Sequence, residues 1–234
     1  PVAGHFAKPE VRRSVRVAMA ASVLATVSTE PLREKIEELG LPAVVLPNCL
    51  PEYFTNLSQR ATWVERTDEP RILWAGSMTH NGDFIAEARY GLKRAIQWSG
   101  ARFTTMGADA RKFLKVDGDH VRWSNDIPSF HATLPGYDIG LCPLQRTEFN
   151  RCKSGIKAME YQAAGIVPVA TDTEAYRGVI TDGVDGFLVS TQEQWKDRLA
   201  TLSTDHALRK RMRDAGLAPT ADRLYSANSW RWEQ

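Results

Sequence analysis

The chain has 234 residues, 43% of them hydrophobic and 25% charged, and its 30 basic and 28 acidic side chains leave a formal charge of +2. Such a composition belongs to an ordinary globular protein, with room for one full α/β domain and part of a second, and its balance demands no nucleic-acid partner. The longest early apolar run, 17–27, is far shorter than the roughly 20 residues that cross a bilayer, and with no signal peptide ahead of it a soluble cytoplasmic protein is expected.

In chain order, residues 1–9 read as irregular and 11–21 as helical, leading into a short apolar strand at 23–27. Ser28-Thr29-Glu30-Pro31 then supplies a hydroxyl cap and a first-turn proline. The helix 32–39 stops at Gly40, and 43–46 is the next strand, so the opening unit is β-α-β. Residues 51–70 form a polar, irregular linker. From residue 71 a second pattern begins, with an apolar strand 72–76 ending on Gly76, the loop Ser77-Met78-Thr79-His80-Asn81-Gly82, and a helix 83–98 for which Asp83 reads as the cap. Strands recur at 102–106, 121–123, 137–142, 167–171 and 186–189, with helical patterns between most of them. This alternation predicts an α/β fold, a Rossmann-like parallel sheet with helices on both faces. Helices at 191–202 and 205–217 follow; in the second, Arg209, Lys210, Arg211 and Arg213 read as a solvated face. The tail 226–234 carries Trp230 and Trp232.

Ligands of such sheets sit at the carboxyl ends of the strands, here the loops at 76–82, 107, 124–127, 143–154 and 171–176. The stretch 149–170 stands out among them. A polar loop feeds a helix near Ser154, whose first turn offers free backbone N–H groups, and Lys153 and Lys157 flank that start; together these features suit a phosphate. Lys153, Lys157 and Glu160 are spaced by four and three and share a helix face, so two cations and one carboxylate can meet one ligand. The carboxylate suits sugar hydroxyls. Gly76 and Gly82 permit close backbone approach. His80 either donates to phosphate or sugar oxygens or packs its own loop. Cys49, Cys142 and Cys152 have no C-x-x-C spacing and His5, His80, His120, His131 and His206 no ligand spacing, so reduced thiols and no metal site are expected.

Glu160 followed by Ala-Ala-Gly-Ile-Val-Pro-Val-Ala, and then Asp182-Gly183-Val-Asp-Gly-Phe-Leu-Val189, resembles the donor-binding domain of retaining glycosyltransferases of the GT-B fold, of the family 4-like kind. The pattern Phe149-Asn150-x-x-Lys153-Ser154-x-x-Lys157-x-x-Glu160-Tyr161 is similar to the branch associated with polysaccharide and cell-surface glycan synthesis. The resemblance implies a nucleotide-sugar-binding domain at 71–217, preceded by a remnant of the acceptor-side domain at 1–50 and the linker at 51–70. It also implies a C-terminal tail helix at 218–234 that crosses back and packs its tryptophans at the junction. The implied activity is transfer of a sugar from a UDP- or GDP-linked donor to a glycan or other acceptor, with retention and without metal or further cofactor. Lys153, Lys157 and the backbone at Ser154 and Gly155 would hold the diphosphate, Glu160 the ribose, and Gly76, Ser77 and Asn125 would lie against the donor. His80, Lys157 and Glu160 would serve catalysis. Phe149 and Asn150 would shape the loop, and Glu174, Ala175 and Tyr176 would lie near the sugar.

The family places a glutamate eight positions before Glu160, where this chain has Cys152. Either Glu148 swings in, backbone groups suffice, or the activity is altered. The cysteine and the short first unit leave a second reading, a non-catalytic nucleotide-sugar-binding or assembly module. The first unit would be completed by a missing N-terminal half or a partner chain, and peripheral membrane contact stays open. A dinucleotide oxidoreductase is excluded, because no G-x-G-x-x-G follows the opening strand.

Overall fold

The computed structural model describes residues 8–60 and 69–233. The irregular backbone expected for 1–7 and for the middle of the linker, 61–68, lies outside the described residues. Helix α1 (Pro9–Ala20) precedes strand β1 (Ala25–Val27), helix α2 (Glu30–Glu37) and strand β2 (Ala43–Val45). Thr29 Oγ1 accepts from Leu32 N to cap α2, with Pro31 in the first turn, and β1 and β2 pair in parallel as a two-stranded sheet. The linker is not wholly irregular: helix α3 (Phe54–Arg60) lies within it, held by Phe54, which is fully buried.

Next come β3 (Arg71–Gly76), α4 (Asn81–Glu87), α5 (Arg89–Ser99), β4 (Arg102–Gly107), α6 (Arg111–Leu114), β5 (Asp119–Val121) and α7 (Ile127–Ala132). They are followed by β6 (Ile139–Cys142), α8 (Glu148–Arg151), α9 (Ile156–Ala163), β7 (Val167–Thr171), α10 (Glu174–Arg177) and β8 (Phe187–Val189). Helices α11 (Gln192–Thr204), α12 (His206–Leu217) and α13 (Tyr225–Asn228) close the chain. The six strands from β3 onward form one parallel sheet in the order β5-β4-β3-β6-β7-β8. Its two faces follow from side-chain alternation along β3. Ile72 and Trp74 join the core under α4, α5, α11 and α12, whereas Leu73 and Ala75 join the core under α7, α9 and α10. With both faces covered, the strands read as continuous apolar runs.

Further sequence expectations are corrected. The helix expected over 83–98 is two, broken at Ala88, because Gln192 of α11 takes over hydrogen bonds at the break: its Oε1 accepts from Gly91 N at 3.1 Å and its Nε2 donates to Ala86 O at 2.6 Å. Arg209 does not join a solvated face. It is fully buried and donates to the Leu202 and Ser203 carbonyls at the end of α11, where a cation meets the negative end of the helix. Trp230 and Trp232 remain 53% and 62% exposed; the apolar seal is made instead by Leu224 packing with Leu50, Phe54 and Ala163. The tail is a succession of short turns around α13. It returns to the start of the linker, with Leu50 N donating to Arg223 O and Tyr225 N to Leu50 O.

Strand order reverses between β3 and β6, the point at which sheets of this kind open a crevice. The two strands pair only at Ile72–Ile139 and Leu73–Gly140 and then separate. Ala75 has no partner on β6. Its N–H donates to the Tyr161 hydroxyl at 3.2 Å, and its C=O accepts from the Lys157 ammonium, so helix α9 replaces the missing ladder. Gly140 permits this, since a Cβ there would meet the Tyr161 ring at 2.3 Å. Gly165, at φ 75°, ends the helix and turns the chain into β7.

Candidate active site at the strand switch

A cavity of about 190 Å³ opens at this switch point. Its wall combines Ala75 of β3 and His80 of the following turn with Leu144 after β6, Lys153 and Lys157 around the start of α9, and Tyr176 of α10. Two larger grooves, about 700 Å³ between α5 and α11 and about 900 Å³ beside α1, lie away from the strand ends and gather no such set.

The α9 end of the cavity is built for an anion. The backbone N–H groups of Ser154, Gly155, Ile156 and Lys157 have no hydrogen-bond acceptor among the described residues. Gly155 occupies the cap position without a capping side chain, leaving the positive end of the helix dipole open. Lys157 reaches Ala75 O, and Lys153 lies 5.1 Å over the Phe149 ring, facing Asp83. Burial pushes both lysines below the usual ammonium range. The neighbouring Lys157 adds to this at Lys153 while Asp83 opposes it; at Lys157 the Cys142 and Glu160 side chains oppose it. Two partly desolvated cations beside a free helix terminus can attract and hold a polyanion. Ser154 Oγ is oriented by Asn48 Nδ2 at 2.6 Å, tying the loop to the segment after β2.

Gly155 also sets where that terminus sits. A Cβ there would meet Ala175 O at 2.4 Å and Val179 Cγ2 at 2.7 Å, and the backbone oxygen cannot step aside cheaply. The Gly155→Ala substitution is therefore expected to displace the first turn of α9 at a cost of about 1–3 kcal/mol. A thermal melt alongside anion-binding calorimetry with pyrophosphate checks this: melting should drop by several degrees and pyrophosphate binding should weaken about tenfold or more.

His80 stands on the opposite wall, its Nδ1 3.1 Å from Asp83 Oδ2. Asp83 is not the free cap that the sequence suggests. It is 8% exposed, and its Oδ1 accepts from Gln145 N at 3.1 Å and from Asn150 Nδ2 at 3.0 Å. Burial alone would raise its pKa, but the donors His80, Gln145 and Asn150, with the Lys153 charge, hold it below the usual carboxylate range. One carboxylate thereby fastens the loop after β3 to the loop after β6.

Among the sequence-predicted residues, His80, Lys153, Ser154 and Lys157 share the cavity wall, and Gly155, between two of its residues in sequence, is buried. Gly76 is buried at the end of β3, and Ser77 Oγ bonds Thr79 Oγ1 at 2.6 Å. Asn125 is exposed in the turn before α7, apart from the cavity. Glu160 lies beyond the wall: its Oε1 is 3.2 Å from His131 Nε2, and its side chain keeps 23% of its surface exposed. Cys152 faces the other way, its O accepting from Thr29 Oγ1 at 2.9 Å and its Sγ directed at Pro31 O. Glu148 does not swing in. It is paired with Lys35 at 3.2 Å and with Arg151 at 3.5 Å, on the side of α2. Sequence reasoning assigned no site role to Tyr161, His131, Tyr53, Gln145 or Asn48, whose contacts join separate elements, 29 residues apart for His131 with Glu160 and 62 or more for the others, and leave no local spacing to read.

Residues 69–205 match the family model described as glycosyl transferases group 1. A search of curated proteins returned no match. Among solved structures, similar folds include a mutant of S. aureus TarM in complex with fondaparinux, alpha-GlcNAc-glycerol and UDP (TM-score 0.69, 10% identity, covering 99% of this chain and 47% of that one). The pneumococcal O-GlcNAc transferase GtfA, with UDP and GlcNAc, is similar at TM-score 0.65 and 14% identity, with 96% and 46% coverage. Anabaena HepE, with UDP and glucose, gives TM-score 0.71 at 14% identity, with 98% and 67% coverage. At these identities the likeness is one of fold, the GT-B fold, and the chain spans about half the length of TarM and GtfA.

Proposed function

From the premise that the chain belongs to the group 1 glycosyl transferases, we propose that it binds a UDP- or GDP-linked sugar at the switch-point cavity and delivers the sugar to a glycan or other acceptor. One observation carries this reading: unpaired N–H groups at the start of α9 meet Lys153 and Lys157 in a single cavity. As the glycosidic bond of the donor breaks, negative charge grows on the departing diphosphate. Fixed donors and cations aimed at that charge stabilise the transition state more than the ground state. Those charges do the work that a divalent cation does elsewhere, so the proposed transfer needs no metal or further cofactor; retention at the anomeric carbon is what the family resemblance implies. His80, its Nδ1 held by Asp83, directs Nε2 at the phosphate or sugar oxygens. Glu160, further along the helix, accepts from the ribose hydroxyls. Gly76 and Ser77 flank the donor at the cavity, and Asn125, outside it, meets the part of the donor that extends beyond.

In this reading 71–217 is the donor-binding domain, 1–50 belongs to the acceptor side, 51–70 links them, and 218–234 crosses back. Among the described residues no helix is long and apolar enough to cross a membrane. The acceptor is held with residues beyond this chain, from the rest of a longer polypeptide or a partner. Cys152, turned toward α2 where the family pattern has a carboxylate, favours the second reading, a donor-binding module without turnover.

Calorimetry with UDP and GDP, followed by donor hydrolysis and transfer assays with and without EDTA, separates the two. Micromolar binding with EDTA-insensitive turnover supports the enzyme; binding without turnover in the presence of the acceptor-side region supports the module; no binding of either nucleotide overturns both. Glu160→Ala is expected to weaken UDP or GDP binding by roughly 10–100-fold, the worth of one or two hydrogen bonds to a charged group.

A further inference from the structure

Helix α9 does not present Glu160 freely. The carboxylate is the end of a relay that begins in the linker. Tyr53 OH lies 2.7 Å from His131 Nδ1, and His131 Nε2 lies 3.2 Å from Glu160 Oε1. The histidine is 4% exposed and wedged among rings, with Phe54 at 4.8 Å and Phe130 at 5.0 Å between centroids. Its imidazole therefore has one orientation. Both ring nitrogens are engaged, Nδ1 by the Tyr53 hydroxyl in a hydrogen bond and Nε2 by the Glu160 carboxylate at ion-pair distance. One carboxylate oxygen is thus fixed from behind, while the exposed part of the side chain faces outward with acceptor capacity to spare. A carboxylate accepts at both oxygens, and a cis-diol offers two O–H donors at matching separation.

We infer that His131 is a positioning residue for donor recognition: with Tyr53 it locks the Glu160 carboxylate in the rotamer that accepts from both ribose hydroxyls, so this relay sets the preference for ribonucleotide over deoxyribonucleotide donors. The inference rests on the proposed ribose role of Glu160. The relay joins three separate elements, α3's leading turn, α7 and α9, so it also makes ribose selection depend on the linker being seated.

The test is isothermal calorimetry of the whole chain with two nucleotide pairs, UDP with 2′-deoxy-UDP and GDP with 2′-deoxy-GDP. The wild type is expected to bind the ribose form about tenfold more tightly, the worth of one hydrogen bond to a carboxylate. His131→Phe keeps an aromatic ring among Phe54 and Phe130 but removes both the hydrogen bond to Tyr53 and the ion-pair contact with Glu160; it should bring the ratio to within about twofold by weakening the ribose form alone. His131→Gln, which retains a donor, should restore part of the preference, and Tyr53→Phe should lower it part of the way. A residue that only supports the fold would weaken both forms equally. Glu160→Ala distinguishes the two levels of the argument. If it leaves the ratio unchanged, or if no nucleotide binds the wild type, the ribose reading itself fails. If it abolishes the preference while His131→Phe and Tyr53→Phe preserve it, the positioning role alone is overturned. Should His131→Phe not fold, Tyr53→Phe and His131→Gln decide.

Discussion

Lys157→Met is expected to lower kcat/KM for sugar transfer by about 10²–10³-fold, with nucleoside diphosphate affinity falling in parallel and the melting temperature little changed. The magnitude is that of removing one preorganised donor from a site where charge develops. The small effect on stability follows from two opposed consequences. The ammonium lost from Ala75 O leaves a buried carbonyl without a donor, costing about 1–3 kcal/mol. Against that, a desolvated charge leaves the interior, and methionine fills the same channel with an unbranched apolar chain. The pH behaviour supplies an independent check. Lys153 and Lys157 both start below 10.5 in the free protein because burial disfavours their charged forms. A bound diphosphate favours those forms and raises both pKa values. Binding in the alkaline range must then take up protons, and affinity must decline as pH rises through the lowered values. Calorimetry in buffers of different ionisation enthalpy reads the uptake directly. Affinity within twofold of wild type for Lys157→Met, with no proton uptake, would remove the lysine from the site.

Asp83→Ala is expected to be the most destabilising of the changes considered, by roughly 2–4 kcal/mol, because Gln145 N and Asn150 Nδ2 lose their shared acceptor inside the protein. For a chain of this size that is a fall of about 5–15 °C in melting temperature. The effect carries a pH signature with a definite sign. Asp83 sits below its usual 3.8 in the folded protein, so the carboxylate's extra stabilisation is present above about pH 4 and is lost as pH falls through the lowered value. Unfolding curves for wild type and Asp83→Ala should therefore draw closer together as pH falls from about 7 to about 2. Curves that stay parallel throughout would place the stabilisation elsewhere. Loss of His80 alignment accompanies the change, and transfer should fall by more than the folded fraction does.

How much of this was legible beforehand differs sharply between the scaffold and the site. The sheet was readable because it is made of local signals: an apolar run such as 72–76 or 167–171, closed by a glycine or a polar loop, needs no distant partner to announce itself. The anion end of the site was readable for the same reason, since Lys153, Ser154, Gly155 and Lys157 are contiguous on one helix start. What escaped was everything fixed across the sheet. Asp83 shows locally only a three-residue spacing to His80 and looks like a helix cap; its role comes from Gln145 and Asn150 on another loop. Arg209 sits in a basic run that reads as solvated, and only the end of α11 explains its burial. The break at Ala88 is imposed by Gln192 from a hundred positions away, a tertiary override that no propensity contains. His131 looked like one of five scattered histidines until α7 and α9 were brought side by side.

The clasp between Leu50 and its C-terminal partners changes what a swing of the N-terminal unit would have to do. The polypeptide enters the large sheet's neighbourhood at Leu50 and comes back to the same place at Leu224, fastened there by two backbone hydrogen bonds and by Ser226 on Glu52. The small unit is hung from a buckle rather than a string. Any displacement of the small unit would have to pivot about that buckle, and it would break the bond from Asn48 to Ser154 that ties the unit to the start of α9.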